Sequence, residues 1–420
     1  MGSGPATAWY GEHEISLDLP PSVDTRVVTL PAPAATGDPL AVVAAALDTP
    51  LDAPPLEEAV KGSKRVTIVV PDASRRSGAD VYLLPIIARL ARAGLEPRQI
   101  SIVVARGIHP TSTRAEVQRI LGPGVMEALS AVQSAPDTPD LNASIGEDEE
   151  LGDVRVHRLV ANADLVVLSG PVTPHHLAGF GGGPKALIPG VAQRETVLAA
   201  HRLTLRTAVR PDGSVRTLAG RYEDNPFREA LLRVTRNFGR CWSLGVVLSP
   251  EGEIAAAAAG ETGSAHRQVA QTWLRHGDGP PPEPADLVVV GSAAPRDRDL
   301  VQAHKALLAA MAHAKPGAPI IWLARARAIA GHASLLPWFE IRKTTDHLAA
   351  LRREFHPYGL TAYSMRRIAA RHPVHVVSEV DADLLRPMGF LPFPDARRAL
   401  EHALEHHDVK TCIVLPSPVV

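Results

Sequence analysis

The segment 174–190 constrains the fold more than any other part of the chain. It holds five glycines, three prolines, two histidines and one lysine. It comes shortly after residues 163–170, an apolar run with the Val and Leu content of a buried strand. A buried strand that ends in a glycine-rich turn exposes backbone N–H groups, and these suit an anion such as phosphate. We therefore expect a strand, a tight turn and an anion site, in that order.

The same segment leaves two interpretations open. Lys185 adds a cation or a nucleophilic amine, and His201, just beyond a predicted helix at 193–200, offers an imidazole. The spacing fits neither a Walker A loop, since no Ser or Thr follows Lys185, nor a dinucleotide-binding turn, since the glycines are contiguous. A glycine cluster after a strand also occurs as a simple turn. Glycine content alone therefore does not identify a ligand.

Apolar runs alternate with helical patterns along the first half of the chain. Strands are predicted at 64–70 and 99–105, and helices at 80–93 and 113–121, after an opening hairpin of strands 14–19 and 26–30. Strands that alternate with helices indicate an α/β domain with a largely parallel sheet.

Polar residues follow three of these predicted strands. They are Asp72 with Arg75, then His109, and then the segment from His175 to Lys185. Each has an ordinary alternative: Asp72 as a helix cap, Arg75 as a solvated charge, and His109 as a loop histidine. Because ligands of parallel α/β sheets bind beyond the carboxyl ends of the strands, we expect these residues to meet at one edge.

A second α/β domain is predicted after a Gly/Pro-rich linker at 277–284. The predicted domains are 1–276 and 285–407, with a cleft between them, and the final segment 408–420 is expected to pack back on the first domain. In the second domain Gln302 and Lys305 are three residues apart on a predicted helix, so they share a face that suits a carboxylate. An ordinary amphipathic helix start is the alternative.

Composition excludes several classes of protein. Hydrophobic residues make up 45% of the chain and the net charge is −1, which favours a globular protein and argues against nucleic acid or an acidic membrane as partner. The two cysteines, Cys241 and Cys412, are far apart, so a disulfide framework is not expected. No membrane-length apolar run or secretory signal is visible, and we expect a cytoplasmic protein.

The run from His175 to Gly190, followed by Arg194-Glu195-Thr196 and His201, resembles the signature of the lactate racemase family. The resemblance implies that Lys185 is covalently joined to a nickel-pincer nucleotide (pyridinium-3-thioamide-5-thiocarboxylic acid mononucleotide nickel). It also implies that His201 is a nickel ligand and that the turn of Gly181, Gly182 and Gly183 lies at the cofactor.

Further motifs extend this resemblance. The family's Asp-x-x-Arg pattern matches Asp72 and Arg75, its Gly-x-His pattern matches His109, and its Gln-x-x-Lys pattern matches Gln302 and Lys305. By resemblance, His109 and His175 are the two acid/base catalysts, and Asp72 contacts or supports the cofactor. The substrate carboxylate would be bound by three residues: Arg75, Gln302 and Lys305.

The resemblance implies an isomerase that racemises or epimerises a 2-hydroxy acid, with proteins of cofactor synthesis as partners. The chain departs from the family's pattern at some positions, and these differences bear on the choice of substrate. Val301 stands where the family has an aromatic residue, and arginines lie near the proposed site residues at four positions: Arg76, Arg106, Arg296 and Arg298. Clustered cations either face solvent or meet an anion, so we expect malate or another polar hydroxy acid rather than lactate. The alternatives are a cofactor-binding protein without turnover and an epimerase of a sugar acid.

Overall fold

The structure, a computed structural model, describes residues 6–29, 33–276, 282–294, 296–329 and 332–418. The chain divides into two compact units. The larger unit comprises Pro31–Thr207 and Leu218–Asp278, and the smaller unit comprises Met1–Leu30, Ala208–Thr217 and Gly279–Val420. Both combine helices with largely parallel sheets, which confirms the predicted α/β class.

The larger unit is built on a six-stranded sheet. Its strands are, in spatial order, Ile254–Gly260, Cys241–Leu248, Leu165–Pro171, Val66–Pro71, Ile100–Ala105 and Ser130–Gln133. All neighbours are parallel except the edge pair Cys241–Leu248 and Ile254–Gly260. Two short antiparallel pairs accompany this sheet: Asn142–Asp148 with Gly152–His157, and Pro174–His175 with Gly179–Phe180.

Helices cover both faces of this sheet. Those described are Pro39–Asp48, Leu56–Ala59, Ala79–Arg92, Arg114–Leu121, Pro123–Ala128, Arg158–Ala161, Pro184–Leu187, Arg194–Arg202, Leu205–Ala208, Pro226–Phe238 and Thr262–His276. The central strand Val66–Pro71 alternates between two apolar clusters: Val66 and Ile68 pack on one side of the sheet and Val69 on the other. Burial on both faces explains why this strand is apolar except at Thr67, whose hydroxyl donates to the Leu159 carbonyl at 2.7 Å.

The smaller unit contains an eight-stranded sheet. Its strands are Ala6–Gly11, His13–Leu17, Asp24–Val27, Leu287–Ala293, Ile320–Leu323, Val374–Val377, Leu391–Phe393 and Thr411–Leu415. Its α-helices are Leu300–Ala310, His332–Leu335, Thr344–Arg353, Pro357–Ala369, Ala382–Leu385 and Ala396–His406. Asp299 caps the first of these helices by accepting a hydrogen bond from the Gln302 N–H, at 2.8 Å.

Two predicted features near the termini differ from the structure. Strand His13–Leu17 pairs antiparallel with Ala6–Gly11, so the opening hairpin lies earlier in the chain than expected. Asp24–Val27 instead pairs parallel with Thr411–Leu415, a strand that also pairs with Leu287–Ala293. Leu30, the end of the predicted second strand, lies outside the described residues. Pairing between strands hundreds of residues apart leaves no local signal in the sequence.

The division of the chain into two units also differs from the predicted domain boundaries. The predicted domain 1–276 included residues 1–30 and 208–217, which belong to the smaller unit. The segment 408–420, expected to pack on the first domain, contributes a strand to the sheet of the smaller unit. Residues 277–281 of the predicted linker lie outside the described part of the chain. Among the described helices, none is long and apolar enough to cross a membrane.

Candidate functional site

Three segments with candidate residues follow neighbouring strands of the larger unit. Strand Val66–Pro71 lies between Leu165–Pro171 and Ile100–Ala105, and all three run in the same direction. Their carboxyl ends therefore share one edge of the sheet. Asp72 follows the central strand, His109 follows one neighbour, and His175 and Lys185 follow the other.

Asp72 and His109 form a hydrogen-bonded pair at this edge. Nδ1 of His109 lies 2.9 Å from Oδ2 of Asp72, and the Ser74 hydroxyl donates to Oδ1 of the same carboxylate at 2.6 Å. The Asp72 side chain is 3% exposed and that of His109 is 31% exposed. The carboxylate is thus buried and held by two donors, while the imidazole remains partly accessible.

Opposing effects act on the Asp72 carboxyl. Burial alone would raise its pKa, but the hydrogen bond and charge of His109, the Ser74 hydroxyl and the charge of Arg75 together lower the pKa to about 2. Asp72 is therefore ionised at neutral pH and can only accept hydrogen bonds. It follows that Nδ1 of His109 carries a proton, and that Nε2 holds the lone pair when the ring is neutral. His109 is thereby arranged as a proton acceptor.

His175 has the opposite hydrogen-bonding pattern. Its Nδ1 lies 3.1 Å from the backbone nitrogens of both Leu177 and Ala178, and the residue is buried. Backbone N–H groups only donate, so Nδ1 holds the lone pair and the neutral ring carries its proton on Nε2. In this arrangement His175 offers a hydrogen-bond donor rather than a base.

Lys185 lies in the short helix Pro184–Leu187, directly after the glycine turn. The loop that follows is bonded to the His109 segment, because the Gly107 N–H donates to the Gly190 carbonyl at 2.8 Å. Lys185 is half-buried. Burial and the charge of Arg75 lower the pKa of Lys185 to about 7, against the opposite effect of Asp72. A large fraction of this amine is therefore neutral, and nucleophilic, near neutral pH.

The glycines of the turn are required by the backbone itself. Gly182 and Gly183 have positive φ values of 75° and 50°. A Cβ atom at Gly182 would lie 2.5 Å from the Pro171 carbonyl oxygen, and one at Gly183 would lie 2.8 Å from the ring of His266. Gly181 has no such close contact. Strain and close packing therefore account for Gly182 and Gly183 without any ligand.

The N–H groups of this segment are partly used within it. Gly181 donates to Thr173 O at 2.7 Å, and Lys185 and Ala186 donate to the carbonyls of Gly182 and Gly183. These bonds form the turn and support the simpler interpretation of the glycine cluster. The predicted anion site at these backbone groups stays a prediction.

Two residues that the sequence did not single out hold the turn in place. Nε2 of His266 lies 3.0 Å from Gly181 O, and its Nδ1 lies 3.2 Å from the Tyr222 hydroxyl. Burial lowers the pKa of His266 to about 4, so the neutral ring donates from Nε2 and accepts at Nδ1. A lone histidine in a helix eighty residues downstream has no sequence pattern that connects it with the turn.

His201 lies in the last turn of helix Arg194–Arg202, slightly earlier in the structure than the predicted position beyond the helix. Its Nδ1 is 2.8 Å from the carbonyl oxygen of Val197, one turn before it. A carbonyl oxygen only accepts, so Nδ1 carries the proton and Nε2 holds the lone pair. Metal-binding histidines commonly have this second hydrogen bond, and His201 is thus in the tautomer that a metal requires.

No group of three or more His, Cys, Asp or Glu side chains that could hold a metal ion is found among the described residues.

In the smaller unit, Gln302 and Lys305 lie one turn apart, as predicted, on helix Leu300–Ala310. The Lys305 ammonium donates to the Gln302 side-chain oxygen at 2.6 Å. Both residues line a pocket that also contains Arg296. Val301, the departure from the family's aromatic residue, is buried and is not among the lining residues of this pocket.

The four arginines near the candidate residues have different surroundings in the structure. Arg106 donates to the carbonyl oxygens of Ser134 and His109, so it supports its own loop. Arg76 is exposed, and Arg298 is exposed and paired with Asp299 at 3.2 Å. Arg296 alone among the four lines the pocket with Gln302 and Lys305.

Comparisons with known proteins identify the family that the chain resembles. Residues 10–210 match the family model described as the lactate racemase N-terminal domain. The chain is 27% identical over 368 residues to a lactate racemase of Lactiplantibacillus plantarum, covering 86% of this chain and 84% of that protein. It is 25% identical over 406 residues to a lactate racemase of Thermoanaerobacterium thermosaccharolyticum, covering 94% and 93%.

Two solved structures share the fold. The lactate racemase apoprotein of Thermoanaerobacterium thermosaccharolyticum superposes with a TM-score of 0.84 at 23% identity, covering 99% of this chain and 98% of that one. A protein of Thermotoga maritima superposes with a TM-score of 0.66 at 18% identity, covering 86% and 94%.

Proposed function

We propose, on the premise that the chain belongs to the lactate racemase family, that it racemises or epimerises a 2-hydroxy acid. The observation that carries this proposal is the Asp72–His109 pair at the sheet edge that also bears Lys185. An ionised carboxylate that holds a histidine with its lone pair on Nε2 is a general base for a hydroxyl proton.

A 2-hydroxy acid needs more than a base, because its carboxylate disfavours a carbanion at C2. By family resemblance the chain would bind a nickel-pincer nucleotide, and this group would supply a hydride acceptor for the C2 hydrogen; no side chain supplies that chemistry. Lys185 would hold this cofactor covalently, since its lowered pKa makes the amine nucleophilic. His201 would bind the nickel through Nε2, for which its tautomer is suited.

The residues of the chain would divide the remaining tasks. His109 accepts the hydroxyl proton at Nε2, and Asp72 orients the ring and stabilises the imidazolium that results. His175 donates a hydrogen bond from Nε2 to the substrate oxygen. Arg75 would bind the substrate carboxylate, because a guanidinium can bind a carboxylate through two parallel hydrogen bonds. For Gln302 and Lys305, a carboxylate-binding role rests on the family resemblance alone.

For the substrate we favour malate, or another polar hydroxy acid, over lactate. The support for this preference is Arg296, the arginine that lines the pocket with Gln302 and Lys305. A cation beside a carboxylate-binding pair favours a substrate with a second anionic end.

The test is to produce the chain together with the proteins that synthesise the cofactor. Intact-mass spectrometry is expected to find an adduct on Lys185, and metal analysis is expected to find nickel. Polarimetry would then compare lactate, malate, 2-hydroxyglutarate, phenyllactate and gluconate. A loaded protein that turns over none of these would favour a cofactor-binding protein, and highest turnover with lactate or phenyllactate would contradict the preference for malate.

A further inference from the structure

The pocket of the smaller unit lies at the carboxyl end of strand Leu287–Ala293 and is partly open to solvent. Its described lining consists of Gly291, Ser292, Ala293, Arg296, Gln302, Ala303, Lys305, Ala306, Ser417 and Pro418. This lining combines two cationic side chains, an amide and two hydroxyls, and none of these lining residues is an Asp or a Glu. Such a set of hydrogen-bond donors suits an anion.

Ser292 is the least expected member of this set. It is 3% exposed, and its hydroxyl has no hydrogen-bond partner among the residues that the structure describes. A buried hydroxyl without a partner is costly, and native structures rarely contain one without a reason. A ligand oxygen in the pocket would supply the missing partner.

Two further donors belong to the same pocket but not to the Gln302–Lys305 pair. The Ser417 hydroxyl oxygen accepts from the Ala293 N–H at 3.1 Å, which leaves its proton to donate. The Arg296 guanidinium donates to the Pro418 carbonyl at 3.5 Å and brings its positive charge to the same pocket. Arg296, Ser292 and Ser417 therefore form a second set of donors within one pocket.

We propose that Arg296, Ser292 and Ser417 bind the second carboxylate of a dicarboxylic 2-hydroxy acid, whose first carboxylate is bound by Gln302 and Lys305. This assignment rests on the proposed racemase function and adds the residues that would select a diacid. Arginine suits the role because its planar guanidinium matches a carboxylate in shape.

The first test compares kinetics with malate and lactate in the cofactor-loaded enzyme. Arg296→Gln is expected to raise KM for malate by about 10- to 100-fold, the loss typical of removing one partner of a charged pair. Its KM and kcat for lactate should stay within about twofold of wild type, which also shows that the variant folds. Ser292→Ala should raise KM for malate by about tenfold or less, the effect of one hydrogen bond to a charged group.

The matched control is Arg298→Gln, in the same short turn as Arg296. Arg298 is exposed and paired with Asp299, so its loss should leave both substrates unaffected. Equal losses on malate and lactate in Arg296→Gln would overturn the proposal, because Arg296 would then serve the carboxylate common to both substrates or the fold itself.

A binding measurement separates this inference from the proposed reaction. Succinate carries two carboxylates, propionate carries one, and neither has a hydroxyl group to oxidise. Isothermal titration of the full-length protein is expected to find succinate bound at least tenfold more tightly than propionate, with the difference lost in Arg296→Gln. Equal affinities in the wild type would refute the second carboxylate site even if lactate is racemised. A succinate preference without any turnover would refute the racemase and leave a diacid-binding pocket.

Discussion

His109 and His175 follow neighbours of the same central strand, but their Nδ1 atoms have opposite hydrogen-bonding partners. Nδ1 of His109 donates to the Asp72 carboxylate, whereas Nδ1 of His175 accepts from two backbone N–H groups. The neutral rings are therefore opposite tautomers, with a lone pair on Nε2 of His109 and a proton on Nε2 of His175.

This difference shows that the partner of one ring nitrogen decides what the other nitrogen can do. His109 can accept a proton at Nε2 and share the resulting charge with Asp72. His175 can accept a proton there only if the ring takes the other tautomer, and this would break its bonds to Leu177 and Ala178. The family resemblance gives both residues the same acid/base role, so the roles can be separated by experiment.

The largest expected effect comes from replacing each histidine by glutamine. A glutamine amide can donate a hydrogen bond but cannot act as a base at neutral pH. His109→Gln is therefore expected to lower kcat by about 10²- to 10⁴-fold, and His175→Gln by only about tenfold. Racemisation of the best substrate by the loaded enzyme gives the measurement.

Intact mass provides the control for both variants, since each should still carry the adduct on Lys185. Equal losses in the two variants would contradict the assigned difference and would mean that the turn at His175 rearranges during turnover.

A smaller effect is expected from Asp72→Asn, which changes the partner of His109 alone. An amide cannot fix the Nδ1–H tautomer or stabilise an imidazolium as a carboxylate does, so kcat should fall by about 10- to 10³-fold. Nitrogen chemical shifts of the two rings, measured by NMR, should show His109 losing its preference for protonated Nδ1 and His175 unchanged. An unaltered His109 tautomer in this variant would remove Asp72 from the mechanism.

The smallest effect concerns the pH at which Lys185 reacts. With a pKa of about 7, rather than the ordinary value of about 10.4, the unmodified protein should acylate at Lys185 with a midpoint near neutral pH. Arg75 disfavours the ammonium, so Arg75→Met should raise the midpoint. Asp72 favours the ammonium, so Asp72→Asn should lower it.

Peptide mass spectrometry over a series of pH values would follow this reaction. Arg298→Gln should leave the midpoint in place, because the pKa of Lys185 responds to burial, Arg75 and Asp72. A midpoint that moves equally in all three variants would show a change of fold rather than of local charge.

Individual strands and helices could be predicted because each depends on residues that are close together in the chain. The run from Val66 to Val70 is apolar except at Thr67, since both faces of the strand are covered. Thr113 and Glu116 begin their helix with reciprocal side-chain bonds. The helix predicted at 113–121 spans Arg114–Leu121 in the structure, with its cap at Thr113, a difference of the size usual at helix ends.

The sequence by itself determined the α/β class, the central strands and the set of residues that follow them. Each of these depends on residues adjacent in the chain or on the general rule that parallel strands present their carboxyl ends at one edge. The expectation that at least one of the four extra arginines meets an anion stays a prediction.

Only the tertiary structure decided the proton positions and the neighbours of each charge. The tautomer of His109 depends on Asp72, thirty-seven residues earlier, and the pKa of Lys185 depends on burial and on Arg75, more than a hundred residues earlier. Arg296 and Arg298 are two residues apart, yet one lines a pocket and the other pairs with Asp299 at the surface. Hydrogen bonds and desolvation depend on distances in space, and a linear pattern of residue types contains no information on distances that the fold alone creates.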